Sequence, residues 1–327
     1  MSKQPSPKAR DFLFAFLLIL SLSIKIYQAA APERLTHLNR DQIQLISSNP
    51  GRYSFVVMGD SRDSVLTFSN LARQVNAEPI LFSINLGDLI YDAKLYRYRF
   101  LLKQLRQLRK PLVTVAGNHE LRGGESARRR YLHYFGRFYY SFVKGDCYFI
   151  MMDNADGTID PQQMTWLKQE LEKATGYRYR FVCAHVPLFD PRAGRHYCMS
   201  DLPSAKAFNQ LLDDYRVTML FVSHIHAYFR GVWGKTPYII TGGAGATLSQ
   251  TEPERRFYHY LRVDVSDTGV EYQVIKVKPP RSETLDHFLY QAALFQEGFL
   301  TDTLLLLSSL YFLFRFSAKK IRKQRPG

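Results

Sequence analysis

Five strand-like runs, each ending on a residue able to bind a metal, constrain this chain more than any other feature. Tyr53-Ser54-Phe55-Val56-Val57-Met58 runs into Gly59-Asp60-Ser61-Arg62. Ile80 to Leu86 runs into Gly87-Asp88, and Pro111 to Ala116 into Gly117-Asn118-His119-Glu120. Tyr179 to Ala184 ends on His185, and Val217 to Val222 on Ser223-His224-Ile225-His226. The runs are rich in β-branched and aromatic residues, as buried strands are. Gly before Asp or Asn ends a strand in a turn, because Gly needs no Cβ clearance and Asn tolerates left-handed backbone. Carboxylate, amide and imidazole groups are thereby gathered at the carboxyl edge of a sheet, where open α/β sheets keep their sites. Taken singly, each residue reads as an ordinary turn or loop position. Their order on successive strand ends carries the information.

In that order, over about residues 50 to 280, the chain resembles the calcineurin-like metallophosphoesterase superfamily, the two-metal phosphatases that include the purple acid phosphatases. The family pattern runs Asp-x-His, Gly-Asp, Gly-Asn-His-Glu, a lone His, then Gly-His-x-His. The resemblance implies an α+β fold, a four-layer α/β/β/α sandwich of two packed mixed sheets flanked by helices. It also implies Asp60 and His226 as ligands of a first metal, Asn118, His185 and His224 of a second, and Asp88 bridging both. His119 would then act as general acid or transition-state stabiliser. His224 and His226 alternate along extended backbone, so each imidazole can address a different cation. Phosphate esters resist attack because the anion repels nucleophiles and the alkoxide leaves badly. Two cations about 4 Å apart answer both difficulties, binding the phosphoryl oxygens and a hydroxide at neutral pH. Nitrogen and oxygen ligands without thiolate suit Mn, Fe or Zn and do not choose among them.

One departure from the family matters. Arg62 stands where the first motif usually carries its His, and a guanidinium stays protonated and cannot ligate. The first site then has Asp60, Asp88 and His226 from the protein. Two function classes follow. In the enzyme reading, Arg62 grips the phosphate of an ester substrate through its fork of donors. In the binding reading, the first metal is lost and the protein is a membrane-held pseudo-phosphatase that recognises a phosphorylated partner. Retention of His119 and of every second-site ligand favours the enzyme.

The net charge of +15 would suggest nucleic acid if it were spread over a domain, but much of it sits at the two ends. Lys3, Lys8, Arg10 and Lys25 lie before or within one apolar run, and Arg315, Lys319, Lys320, Arg322, Lys323 and Arg325 close another. Phe12 to Ile24 has the length of a signal-peptide core, and Ala29-Ala30-Ala31 offers a cleavable stretch. Uncleaved, Phe12 to Ala31 spans a bilayer as an anchor, with Lys25 snorkelling. Phe299 to Phe316 makes about 27 Å of helix, close to the hydrocarbon thickness, with Asp302 at the interface. The alternative for that run is a buried amphipathic helix. Basic flanks stay cytoplasmic, which puts the domain between them outside the cytoplasm, on the periplasmic side in a bacterium. Residues 1–31 are thus a signal peptide or anchor, 32–285 the catalytic domain, 286–316 a linker and transmembrane helix, and 317–327 a cytoplasmic tail. The expected partners are the membrane and a phosphate ester, lipid-linked esters at its surface included; nucleic acid is not expected.

Within the domain, Val65 to Val75 and Leu95 to Leu108 have helical apolar spacing. Tyr139 to Phe142 pairs with Tyr148 to Met152 as a hairpin turned at Lys144-Gly145-Asp146. Asp160-Pro161 starts a helix that buries Met164, Trp166, Leu167 and Leu171. After His226 the pattern becomes all-β. Cys147 and Cys183 sit in strand-like runs and read as buried thiols, and no Cys-x-x-Cys supports a zinc ribbon or dithiol centre. Gly242-Gly243-Ala244-Gly245-Ala246 lacks the strand-to-helix setting of a nucleotide loop and instead lets backbone approach the metal centre. His37, His133, His196, His259 and His287 match no motif; His196 follows His185 in a loop and reads as an ordinary loop residue.

Overall fold

The structure is a computed structural model and describes residues 7–30, 36–47 and 53–323. These fall into two compact units, Leu35–Tyr290 and, taken together, Met1–Arg34 with Gln291–Gly327. Two mixed sheets build the larger unit. In one, β1 (Tyr53–Met58), β2 (Phe82–Asn85) and β3 (Leu112–Thr114) run parallel. Antiparallel β10 (His259–Val265) and β11 (Val270–Lys276) extend the β1 side. The other sheet has the order β4-β5-β6-β7-β9-β8. Its parallel centre is β5 (Cys147–Met151), β6 (Tyr179–Cys183), β7 (Met219–Val222) and β9 (Thr236–Thr241), edged by β4 (Tyr140–Lys144) and β8 (Tyr228–Trp233). All five runs read from sequence form strands; β1 keeps its whole run, and the other four are trimmed at one or both ends where residues pass into the loops.

Period-2 alternation places the two faces of each strand in different layers. Phe55 and Val57 point between the sheets, where Phe55 meets Phe149 and Phe181 at ring separations of 5.3 and 5.4 Å. Val56 and Met58 point the other way, into a cluster with Leu71 and Val75 of α3 (Leu66–Ala77). On the second sheet, Ile150, Val182 and Leu220 cluster with Leu167 and Leu171 of α6 (Pro161–Ala174) and Phe208 and Leu212 of α7 (Leu202–Asp214). This is the expected sandwich of two sheets with helices outside.

Local signals hold where the side chain closes its own turn. The hairpin pairs Tyr140 with Met151 through Lys144 with Cys147, and Gly145 turns it at φ 53°. Asp160 accepts from the Gln163 N–H at 2.9 Å and caps α6, although Met164 and Trp166 are only half-buried. Four helices lie outside the sequence expectation: α2 (Leu38–Ser47), α5 (Glu125–Tyr134), α7 and α8 (Glu283–Gly298), the last falling largely on the stretch expected as linker. α5 and α7 start without a side-chain cap bond, although Asp201 and Pro203 give α7 a start signal that the sequence reading passed over. α2 is tied down by Asn39, which exchanges two hydrogen bonds with the Thr114 backbone at 3.1 and 2.8 Å. The expected helix of Leu95 to Leu108 is α4 (Leu95–Leu105). α3 is capped from far along the chain, since Asp286 accepts from the N–H groups of Val65, Leu66 and Thr67. Asp286 lies in α8 (Glu283–Gly298), which carries residues of both units. Cys147 and Cys183 are buried thiols, as expected.

The smaller unit pairs α1 (Pro7–Ala30) with α9 (Leu300–Lys323) antiparallel. Lys25 and Asp302 meet at 2.7 Å at one end. At the other, Arg315 donates to both oxygens of Asp11 at 2.8 and 2.9 Å, and Tyr311 adds a third bond at 2.6 Å. The Tyr311 ring stacks on Phe14 with centroids 4.0 Å apart. Ser21 and Ser308 are wholly buried, small residues of the kind that let apolar helices pack closely. Phe12, Ile19, Leu313 and Phe314 stay exposed. The stretch Leu300–Ser317 is long and apolar enough to cross a membrane, and its exposure corrects the buried-helix alternative. Lys3 and Ala31 of the expected signal peptide or anchor and Arg325 of the expected basic tail lie outside the described residues.

Candidate metal centre

Parallel strands deliver their carboxyl ends to one edge, and the loops that leave them are stitched together there. The Asp60 N–H donates to Gly87 O, and the Arg62 N–H to Asp88 O, both at 3.1 Å. Glu120 is fully buried and accepts four backbone N–H groups: Gly117 at 2.7 Å, Asp88 and Leu89 at 2.8 Å, and Ile90 at 3.1 Å. One carboxylate thus locks the loop after β2 to the loop after β3. The sequence reading left Glu120 without a role; its signal was its place in the Gly-Asn-His-Glu motif. Glu120→Gln would turn an amide NH2 toward two N–H donors and is expected to destabilise the protein by about 1–3 kcal/mol, measured by denaturant unfolding. An unchanged midpoint would remove the staple role.

Three of the ligand candidates hold left-handed backbone, Asp60 at φ 58°, Asp88 at 54° and His224 at 67°. Such conformations cost about 1–3 kcal/mol each and persist where surrounding structure over-determines them. Here the surroundings are hydrogen bonds to Asp60 Oδ2 from the His224 N–H at 2.9 Å and from the Ser223 hydroxyl. Gly242 approaches the same oxygen. A Cβ there would stand 2.7 Å from Asp60 Oδ2 and 2.3 Å from Ile225 O, so the glycine-rich segment admits backbone to the centre as expected.

Two groups of side chains result, each with ligand atoms within 4.8 Å of one another, and each able to hold a metal ion. One is Asp60, Asp88 and His226; the other is Asp88, His185 and His224. Asp88 belongs to both. Asn118 Oδ1 joins the second group, 3.1 Å from His185 Nε2 and 3.1 Å from His224 Nδ1, which are themselves 3.2 Å apart. Every ligand candidate read from sequence is therefore brought to one place.

The histidines present the right atoms. His185 Nδ1 faces Leu86 O and His226 Nδ1 faces Thr247 O, both at 2.7 Å. A carbonyl only accepts, so the proton sits on Nδ1 and the Nε2 lone pair faces the cluster. Orientation by a backbone carbonyl is usual for metal-binding imidazoles. Asp60 Oδ1 is buried and accepts no hydrogen bond among the described residues. A buried orphan acceptor beside a bare imidazole nitrogen 3.3 Å away fits a cation between them.

The electrostatics point the same way. Burial and then the charge of Asp60 push Asp88 up to about 7. Burial and then Asp88 push Glu120 up to about 7. Burial opposes Asp60's ionisation, but His226 leads the groups that hold it below the carboxylate range. Burial, then His185, pushes His224 down to about 3, leaving it a neutral donor. Burial opposes the charged form of His226, but Asp60 raises it above the ordinary imidazole value. Clustered carboxylates and imidazoles in a buried site are the arrangement that divalent cations stabilise.

Above the cluster opens a cavity of about 560 Å³. His119 lines it, with Nδ1 donating to Tyr91 O at 2.6 Å and Nε2 turned to Asp88 at 3.7 Å. Burial and then Arg62 push this imidazole down to about 3. Arg62 also lines the cavity, paired with Asp63 and 3.5 Å from Asp88 Oδ2. The Tyr91 ring gathers Arg62, Arg97 and Arg122, all within 5.6 Å of its centroid. From the loop after His185, Arg192, Arg195 and Tyr197 reach the cavity, whereas His196 is exposed and does not line it. Arg122, Arg192, Arg195 and Tyr197 were not singled out from sequence, because loop arginines carry no spacing signal.

Comparison with known proteins agrees with this geometry. The family model of the calcineurin-like phosphoesterases matches residues 53–228. A probable cyclic nucleotide phosphodiesterase of Fibrobacter succinogenes is 25% identical over 177 residues, covering 51% of this chain and 65% of that one. Purple acid phosphatase 23 of Arabidopsis thaliana is 25% identical over 229 residues, covering 60% of this chain and 47% of its own. The chain thus spans less than two thirds of the length of either relative. The structure of purple acid phosphatase PPD1 from yellow lupin (Lupinus luteus) shares the fold at a TM-score of 0.59 and 16% identity, over 71% of this chain and 53% of that one.

Proposed function

This chain belongs to the calcineurin-like phosphoesterase family, and from that premise we propose that it is a membrane-anchored hydrolase of phosphate esters with a two-metal centre. The observation that carries the reading is Asp88, a buried carboxylate common to two ligand groups. Asp60 and His226 would hold one ion, Asn118, His185 and His224 the other, and Asp88 both. Ions held there supply Lewis-acid polarisation of the phosphoryl oxygens and a water made acidic enough to attack at neutral pH. Arg62 aims its guanidinium into the cavity and orients the phosphoryl group by charge-assisted hydrogen bonds. His119 protonates the departing oxygen. For that, the phosphoryl charge must offset Arg62 and return a proton to Nε2.

The test is metal analysis of the purified full chain together with hydrolysis of p-nitrophenyl phosphate and its diester under Mn, Fe and Zn. Two metals and turnover are expected. Arg62→Ala should raise KM for these anions and leave the metal count at two; a fall in kcat as well would place its grip in the transition state. If the wild type holds one metal and hydrolyses nothing, while Arg62→His restores both, the protein is a binder and not an enzyme.

Anchoring rests on the α1–α9 pair. Asp11 to Lys25 spans about 21 Å of helix, so the two ion pairs close opposite ends of an apolar hairpin within a hydrocarbon core of about 30 Å. Pairing with α9 favours α1 as a retained anchor over a cleaved signal peptide. Lys8, Arg10 and the cations after Phe316 place that end in the cytoplasm and the larger unit outside it. A reporter active only outside the cytoplasm is expected to work in the β10–β11 turn at Asp267-Thr268 and to fail when fused after Gly327. Inverse activities, or a mature protein lacking α1, would overturn this topology.

A further inference from the structure

The arginines around the cavity outnumber what one phosphoryl group requires, and they differ in how far the protein already neutralises them. Arg62 faces Asp63 and Asp88. Arg192 is held by both oxygens of Asp190 at 2.9 and 2.8 Å and lies over the Tyr197 ring at 5.2 Å. Arg122 and Arg195 make no ion pair among the described residues, yet both line the wall. Arg195 also borders a second cavity of about 520 Å³, which shares Arg192 and Gln250 with the first. The outer cavity adds Arg230, which has no carboxylate partner among the described residues, and Arg255, which faces Glu252 at 3.6 Å over Phe229. Unneutralised cations therefore continue from the ligand cluster outward through the shared wall.

We propose that Arg195, at the junction of the two cavities, is the subsite for a second phosphoryl group, so that the substrate class is a diphosphate ester. This rests on the phosphoesterase reading. The scissile phosphoryl lies over the ligand cluster, its neighbour on Arg195, and the organic group in the outer cavity against Phe229 and Tyr238. In the reaction the bond from the scissile phosphorus to the bridging oxygen breaks. Water supplies the oxygen that stays on that phosphorus, and its two protons end on the two phosphate products. Arg195 bears the charge that develops on the leaving phosphate, a role for which a fork of donors is suited. Arg230 donates to the Tyr272 hydroxyl at 3.2 Å; a simple monoester leaves Arg195 without an anion, whereas a diphosphate supplies one. Electrostatic matching of this kind sets specificity between otherwise similar anions.

The experiment compares pyrophosphate and inorganic phosphate on the full chain in detergent, loaded with Mn. Calorimetric affinity is measured alongside hydrolysis of methyl diphosphate and p-nitrophenyl phosphate. Arg195→Ala is expected to weaken pyrophosphate relative to phosphate by about 10- to 100-fold, the worth of one charge-assisted contact, and Arg195→Lys by less. Chelation of Mn by pyrophosphate is common to all variants and cancels in the comparison. Arg195 is an exposed loop residue, so its replacement leaves the core intact. An unchanged ratio overturns the subsite, whether or not the protein hydrolyses esters. The expected ratio without hydrolysis of either ester supports the subsite and overturns the phosphoesterase reading instead.

Discussion

Asp88→Asn is expected to abolish hydrolysis, lowering the rate on p-nitrophenyl phosphate by more than about 10³-fold and reducing bound metal below that of the wild type. Asp88 Oδ1 lies 3.4 Å from His185 Nε2, among the second group, while the same side chain belongs to the group of Asp60 and His226. An amide has one good donor oxygen and no charge, so it cannot serve two cations at once. The replacement should not unfold the protein. Without metal, Asp88 is a buried carboxylate facing Asp60, and removing its charge should raise the metal-free unfolding temperature. Lost activity with a raised metal-free Tm would separate ligation from folding. Wild-type metal content and rate would refute the shared-ligand assignment.

His119→Ala is expected to keep both metals and lose roughly 10²–10⁴ in kcat, the contribution of a general acid. His119 Nε2 is 3.7 Å from Asp88 and its Nδ1 proton is committed to Tyr91 O, so only Nε2 can serve a leaving group. The deficit should be largest for alkyl phosphates, whose alkoxides need a proton. It should shrink for p-nitrophenyl phosphate, whose leaving group departs unprotonated. The same deficit on both would assign His119 to holding the phosphoryl group. On a diphosphate the leaving group is itself a stable anion, and the deficit should be small there as well.

Much of the centre was legible because its ligands lie at strand ends that sequence marks by an apolar run and, for all but His185, by the Gly or Ser that breaks it. Local rules put Asp60, Asp88, Asn118, His185, His224 and His226 at strand ends, and the family resemblance carried by their order implied that they are ligands. The hairpin at Gly145 and the cap at Asp160 were equally local, since each closes within a few residues.

What the chain left open depends on partners distant in sequence. Asp286 caps α3 from some 220 residues away, and Asn39 ties α2 to Thr114 across 75. Glu120 could be seen in its motif, but only the fold brings the loop after β2 under its oxygens. Lys25 and Asp302 each read alone as an awkward charge at a membrane surface; the structure pairs them. Arg122 and Arg195 were invisible among many arginines, because a charge gains meaning only from what faces it. Sequence by itself determined which atoms can bind metal, since donor chemistry belongs to the residue. Tertiary structure decided which charges are met and which remain open to a substrate, since Coulomb interactions act through distance and burial rather than through chain order.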